Sequence, residues 1–415
     1  MEKIILPNGA RIVTEKNDFI KSVTFGVWVG TGSRHETAKL SGTSHFIEHM
    51  LFKGTEKHSC AALSEAFDEL GGHSNAYTTK EMTAFYARSL DDKLSTTVDL
   101  ITEMLLCPAF DETAIESERS VIEEEIGMYD DDPEDLATEK LSEIVYPSSS
   151  LGRPILGTRA SLRKIGREEM LGYMKEKYVG ENIVAAVSGN YDEKEMERLS
   201  EILSAFQKGK KNQFKKAVYR PASFVRKRKY EQNHFGVVFP SYDMYDERRF
   251  ASALLTSILG DGASSRLFRR VREEEGLCYS VYAYSGSTAA EGLCGFYAAT
   301  SKDTEEKALR ACMDEIGRIK KEGVTTNELR RAKEKIRTDL LFGMESTGSR
   351  ASYLARNELN FGRIPTYDEI IAHYQAVTPD DVKAAAEDIF DPAKLSFAAI
   401  GRCENKDYYQ RILTE

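Results

Sequence analysis

His45, Glu48 and His49 stand together in the run His45-Phe46-Ile47-Glu48-His49, inside a stretch, 44–52, that has the apolar spacing of a helix. Residues four apart leave the same face of a helix, so both imidazoles can reach one metal ion, and Glu48 shares that face. This is the donor set that water-activating hydrolysis needs: a bound metal lowers the pKa of water and the carboxylate takes its proton. The order His-x-x-Glu-His is the reverse of the commoner His-Glu-x-x-His arrangement.

A catalytic metal site of this type takes a third protein ligand and keeps a fourth position open. The run Glu118-Arg119-Ser120-Val121-Ile122-Glu123-Glu124-Glu125 supplies candidates. Glu118 and Glu125 fall two turns apart on one helical face, beside an apolar stripe of Val121, Ile122 and Ile126, while Glu123 and Glu124 point elsewhere. Spacing alone leaves both Glu118 and Glu125 eligible.

These residues need elements to hold them. The pattern predicts a helix over 59–70 ending at Gly71-Gly72, strands over 73–77 and 82–89 around a turn at 78–81, and a helix over 91–106 stopped by Pro108. Helix 111–129 carries the acids, and Pro133 opens another at a first-turn position. The same plan then recurs. Phe25-Gly26-Val27-Trp28-Val29 is echoed by Phe235-Gly236-Val237-Val238-Phe239, Phe85-Tyr86-Ala87 by Phe296-Tyr297-Ala298, and Ala186-Val187-Ser188-Gly189 by Ala398-Ala399-Ile400-Gly401, at a nearly constant offset.

The fold expected is therefore α+β: two tandem homologous α/β sandwich units, each a mostly antiparallel sheet with helices packed on one face. The expected domains are 1–209, carrying the metal site, a basic exposed linker at 210–230, and 231–415. In the second copy Leu255 and Leu259 stand near the positions of His45 and His49, and only Asp339 lies near that of Glu125. One copy does chemistry, and the other contributes binding or shape.

Composition excludes several classes. The chain of 415 residues carries 57 Lys and Arg against 67 Asp and Glu, a net charge of −10, which disfavours nucleic acid as a partner. No apolar run is long enough to span a membrane. Met1 to Leu6 leads straight into an Asn8-Gly9 turn and reads as a first strand, not a signal or transit peptide. The six cysteines form no paired framework, as in a reduced, cytoplasmic enzyme. Gly30-Thr31-Gly32 lacks the later glycine of a dinucleotide loop, and Gly260-Asp261-Gly262-Ala263-Ser264-Ser265 lacks the Gly-Lys-Ser/Thr of a phosphate loop; the second is expected to be a mobile loop entering a helix at Ser265.

His45, Glu48 and His49, the following Met50-Leu51-Phe52-Lys53-Gly54-Thr55 and the Glu-Arg-x-Val-Ile run ending at Glu125 resemble the pitrilysin and insulinase type of metallopeptidase. Within it they resemble the branch of the mitochondrial processing peptidases and their bacterial relatives. The likeness extends to Leu6-Pro7-Asn8-Gly9 and Gly32-Ser33-Arg34. It implies one Zn2+ per chain held by His45, His49 and Glu125, with Glu118 supporting the site from behind and Glu48 as general base. It also implies that Arg272 and Tyr279, in Arg272-Glu273-Glu274-Glu275-Gly276-Leu277-Cys278-Tyr279, approach the scissile peptide opposite the zinc. Substrate would lie extended along Asn75, Ala76 and Tyr77.

The function so implied is a zinc-dependent endopeptidase acting on peptides or unfolded segments. Long members of the family build a closing clamshell from four such units, so a chain with two is expected to pair as a homodimer around its substrate. The competing class is an inactive structural subunit that kept the fold and lost the zinc; the intact motif together with Glu125 argues against it. A zinc-stabilised binding module is disfavoured because closed structural sites are usually rich in Cys.

Overall fold

In the computed structural model, which describes all 415 residues, the chain forms two compact units, each built around one sheet. The first sheet holds β1 (Glu2–Ile5), β2 (Arg11–Lys16), β3 (Ser22–Val29), β4 (His73–Thr78), β5 (Thr83–Leu90) and β6 (Ile183–Gly189), in the order β1-β2-β6-β3-β5-β4. The second holds β7 (Ser223–Lys227), β8 (Asn233–Ser241), β9 (Cys278–Ser287), β10 (Gly292–Thr300) and β11 (Ser396–Gly401), in the order β7-β11-β8-β10-β9. Only β2 with β6 and β7 with β11 run parallel. Without β1 the two paths are identical, and the three sequence echoes fall on equivalent strands: β3 and β8, β5 and β10, β6 and β11.

Each sheet packs one face on helices of its own repeat. In the first unit Phe25, Val27, Phe85 and Val187 meet Phe46, Ile47, Met50 and Leu51 of helix Thr43–Leu51 and Val98, Ile101 and Leu105 of helix Leu94–Leu106. A helix of nine residues is marginal in water, so this burial, about 1.5–3 kcal/mol for each large apolar side chain, is what keeps it helical.

The opposite face of each sheet carries a helix from the other repeat. Ala351, Leu354, Ala355 and Leu359 of helix Thr347–Phe361 cover Val13, Trp28, Val184 and Ala186 of the first sheet. Thr347 and Thr24 share a hydrogen bond, and Arg350 pairs with Glu15. Reciprocally, Leu136, Ala137, Leu141 and Val145 of helix Pro133–Val145 cover Val238, Ala398 and Ile400 of the second sheet. Gly236 permits this approach, since a Cβ there would lie 2.6 Å from Leu141.

The compact units are consequently discontinuous: Met1–Ile126, Arg153–Phe214 and Leu341–Pro365 form one, and Gly127–Gly152, Lys215–Leu340 and Thr366–Glu415 the other. The divisions 1–209, 210–230 and 231–415 follow the repeats and miss this exchange. Nor is 210–230 a free linker. Asn212 donates to the Gly30 carbonyl, the Phe214 ring lies 3.7 Å from the Arg34 guanidinium, the Ala217 N–H donates to Glu291, and β7 is a sheet strand. The loop expected to enter a helix at Ser265 leads into the π-helical segment Phe268–Glu274, which carries Arg272.

Truncating Leu354 to Ala is expected to destabilise the first unit by about 2–5 kcal/mol. Trp28, the single tryptophan, lies in the same cluster, so urea unfolding followed by its fluorescence reads the loss directly. An unchanged midpoint would mean that helix Thr347–Phe361 does not hold the sheet in solution.

Candidate metal centre

Helix Thr43–Leu51 presents His45 and His49 on one face, with ring centroids 4.5 Å apart. Its start is fixed by polar contacts that no local pattern announces. Gly42 sits at φ +97°, where a Cβ would lie 2.6 Å from the Leu156 carbonyl oxygen, so the position requires glycine. The buried Glu36 carboxylate accepts the N–H groups of Gly42 and Ser44, each at 2.7 Å, and serves as a cap supplied from outside the helix. Burial pushes its carboxyl up to about 7 against the pull of those donors.

The acids come from helix Glu112–Asp131, seated by buried Ile115 and Ile122. Arg119 ties this helix down by donating to the carbonyls of Leu162 and Ile165, with its guanidinium 5.3 Å from the Phe46 ring. Val121, expected in the apolar stripe, is instead 46% exposed. Glu125 turns toward the histidines: its Oε2 lies 3.7 Å from Nε2 of both His45 and His49.

Three features test whether a zinc ion fits. Ligands at 2.0–2.1 Å in a tetrahedron stand roughly 3.3–3.5 Å apart; Glu125 stands 3.7 Å from each histidine, and the three ligand atoms lie within 4.8 Å of one another. The Glu125 Oε2 atom is buried without a hydrogen-bond partner. Burial, then the neighbouring His49, pushes His45 down to about 3, so it is neutral at neutral pH, the form in which an imidazole can bind a metal. The set fits zinc, and three ligands without Cys match an open site more closely than a closed structural one.

Glu118 lies behind this set. Its Oε1 accepts from His49 Nδ1 at 2.9 Å and its Oε2 receives the Lys53 ammonium at 2.7 Å. A carboxylate can only accept, so the bond places the His49 proton on Nδ1 and leaves Nε2 facing Glu125. Lys53 completes the group. Glu48 is raised above the usual carboxylate range by burial, and its Oε2 accepts from the Thr78 hydroxyl at 2.5 Å. Glu125 is likewise raised by burial; a divalent cation between the ligands would reverse that shift.

Asn75, Ala76 and Tyr77 lie on β4, the open edge of the first sheet. Asn75 Oδ1 accepts the Ala76 N–H at 2.8 Å, and the Tyr77 hydroxyl accepts from Trp28 Nε1 at 3.0 Å. Arg272 and Tyr279 belong to the second unit, where the Arg272 guanidinium lies between the rings of Phe268, 4.6 Å away, and Tyr279, 4.8 Å away. Tyr279 is 73% exposed on the edge strand β9. At the corresponding helix of the second repeat, Leu255 and Leu259 are fully buried and no metal-binding group forms.

Glu36 and Thr78 were not found from the sequence. Their partners lie 6 to 8 and 30 residues away, and a single polar contact across a loop leaves no periodic signal.

One repeat carries a His-His-Glu group placed so that it could hold a metal ion and the other lacks it, and comparison with known proteins names the class to which such a chain belongs. The family described as Insulinase (Peptidase family M16) matches residues 11–159, and the one described as Peptidase M16 inactive domain matches residues 164–336. An uncharacterised zinc protease of Bacillus subtilis is 37% identical over 384 residues, covering 92% of this chain and 94% of its own. One from Streptomyces coelicolor is 36% identical over 420 residues, covering 98% and 90%. Among solved structures, a peptidase M16 inactive domain from Pseudomonas fluorescens superimposes with a TM-score of 0.90 at 21% identity, over 97% of this chain and 98% of that one. A Helicobacter pylori protease gives 0.90 at 18%, over 96% and 98%. The chain belongs to the insulinase-type peptidase family M16.

All six cysteines are unpaired, and no helix is long and apolar enough to cross a membrane.

Proposed function

We propose that this chain is a zinc endopeptidase that cleaves peptides or unfolded polypeptide segments, holding one zinc ion through His45, His49 and Glu125. The observation that carries this reading is the convergence of His45, Glu48 and His49 of helix Thr43–Leu51 with Glu125 of helix Glu112–Asp131, beside the open edge of β4. Zinc bound there supplies a Lewis acid that brings water toward a pKa of about 7 and polarises a carbonyl.

The chain's own residues do the rest. Glu48 accepts a proton from the attacking water as the oxygen bonds to the carbonyl carbon. It returns that proton to the amide nitrogen as the C–N bond breaks, releasing an amine and a carboxylic acid, which then loses its proton to solvent. Glu118, with Lys53 behind it, keeps the His49 proton on Nδ1. The substrate backbone pairs along Asn75, Ala76 and Tyr77 as an added strand, so main-chain bonds supply affinity with little sequence preference.

Arg272 and Tyr279 hold the carbonyl or the developing oxyanion. In this reading two identical chains enclose the substrate, and each zinc site is completed by Arg272 and Tyr279 of the partner subunit. Such an enzyme needs no membrane or nucleic acid and suits the cytoplasm.

Mixed dimers test the arrangement. Glu48→Gln keeps a sound Arg272 and Tyr279, while Tyr279→Phe keeps a sound zinc site and is expected to lose roughly a hundredfold in rate as a missing oxyanion donor. Unfolding and refolding the two together is expected to restore one competent site per heterodimer on a quenched peptide. If subunit exchange is verified and the mixture stays inactive, the shared site is wrong. Zinc analysis of the same preparations separates an inactive zinc-free subunit from an enzyme.

A further inference from the structure

The hairpin of β4 and β5 fixes which β4 backbone groups face outward. Thr79 N–H donates to the Met82 carbonyl at 2.8 Å, which makes that pair a hydrogen-bonded one. Pairs alternate along an antiparallel ladder. Thr78 with Thr83, Ala76 with Phe85 and Ser74 with Ala87 are therefore the non-bonded pairs, whose N–H and C=O groups turn away from β5 to the free edge. The Ala76 N–H donates to the side chain of its neighbour Asn75, in keeping with this phase.

Side chains alternate as well. Ala76 packs against the core that also holds the motif helix, whereas Tyr77 packs on the opposite face against the cluster covered by helix Thr347–Phe361. Thr78 shares the face of Ala76, and its hydroxyl reaches Glu48 Oε2 at 2.5 Å. Thr78 thus has its main chain on the edge open to a peptide and its side chain on the base. Holding Oε2 by this donor leaves Oε1 as the carboxylate oxygen free to take a proton.

We propose that Thr78 is a positioning residue that locks the Glu48 carboxylate to the substrate-binding strand, so that a peptide added to β4 arrives in fixed register with the base. This inference rests on the peptidase reading above.

The test uses Thr78→Val, which removes the hydroxyl and keeps a β-branched strand residue, alongside Thr78→Ser, which restores it. Thr78→Val is expected to keep its zinc by elemental analysis and to keep KM, because the edge backbone is untouched, while kcat falls about 10- to 100-fold from misplacement of the base. Thr78→Ser is expected to return kcat to within a few fold of wild type. Peptide affinity, measured in a Glu48→Gln background so that nothing turns over, is expected to be the same with Thr or Val at position 78. A Val variant with wild-type kcat overturns the proposal, as does a Ser variant as slow as Val, or a loss appearing in KM or peptide affinity instead of kcat. Should Thr78→Val fail to fold or lose zinc, Thr78→Ala is measured in its place against the same criteria. An inactive Glu48→Gln beside a fully active Thr78→Val leaves the peptidase reading standing and removes this inference alone; an active Glu48→Gln removes the reading itself.

Discussion

Glu48→Gln is expected to lower kcat by two to four orders of magnitude while leaving zinc content and fold unchanged. The side chain contacts neither Glu118 nor the ligand atoms in a way that holds the site together. Its Oε2 meets the Thr78 hydroxyl, and a glutamine oxygen can still accept that bond. What the amide cannot do is take a proton at neutral pH. Single-turnover cleavage of a quenched peptide together with elemental analysis decides the matter, and the variant is expected to retain bound peptide long enough for it to be recovered. Turnover within a few fold of wild type would move the base elsewhere. Glu118 would be the next candidate, although its oxygens are committed to His49 and Lys53.

His49→Ala is expected to leave the protein without stoichiometric zinc and with turnover at background. The loss combines one ligand with the anchor of Glu118, which would keep only Lys53. With zinc bound by the folded site and not by the unfolded chain, wild type at a thousandfold excess of free zinc over Kd is expected to gain about 4 kcal/mol, and His49→Ala none of it. Thermal unfolding with and without zinc reads this difference. Full zinc content in His49→Ala would sink the ligand assignment. The metal-free protein carries a pH signature too. His45 has a folded pKa of about 3 against 6.5 unfolded, so the unfolded chain takes up the proton first. Its contribution is complete above pH 6.5 and is lost as pH falls toward 3.

The motif was legible because its geometry is local: four residues is one turn, and the helix formed one residue away from its expected bounds, over Thr43–Leu51. The acid helix was legible for the same reason, but spacing could not choose between Glu118 and Glu125. Only the turn of each side chain, toward both histidine Nε2 atoms or toward His49 Nδ1 from behind, distinguishes them. The sheets were legible as echoes, since Phe-Gly-Val repeats on β3 and β8. The helix exchange was not. Leu354 and Ala355 make an apolar stripe that fits either sheet, and amphipathicity states that a face is buried without stating against what. Val121 shows the converse: an apolar residue at stripe spacing that the packing leaves in solvent.

The exchanged helices also set an order of events for the newly made chain. Thr24 and Thr347 are 323 residues apart, and Arg350 reaches Glu15 across 335. At a synthesis rate of about 5–20 residues per second, the strands bearing Val13 and Trp28 wait on the order of 15 to 70 seconds for the helix that covers them. The proposed metal ligands are complete by residue 125, long before that. A nascent chain therefore has all three proposed metal ligands while one side of its first sheet is still bare hydrocarbon, and exposed apolar surface of that kind favours aggregation.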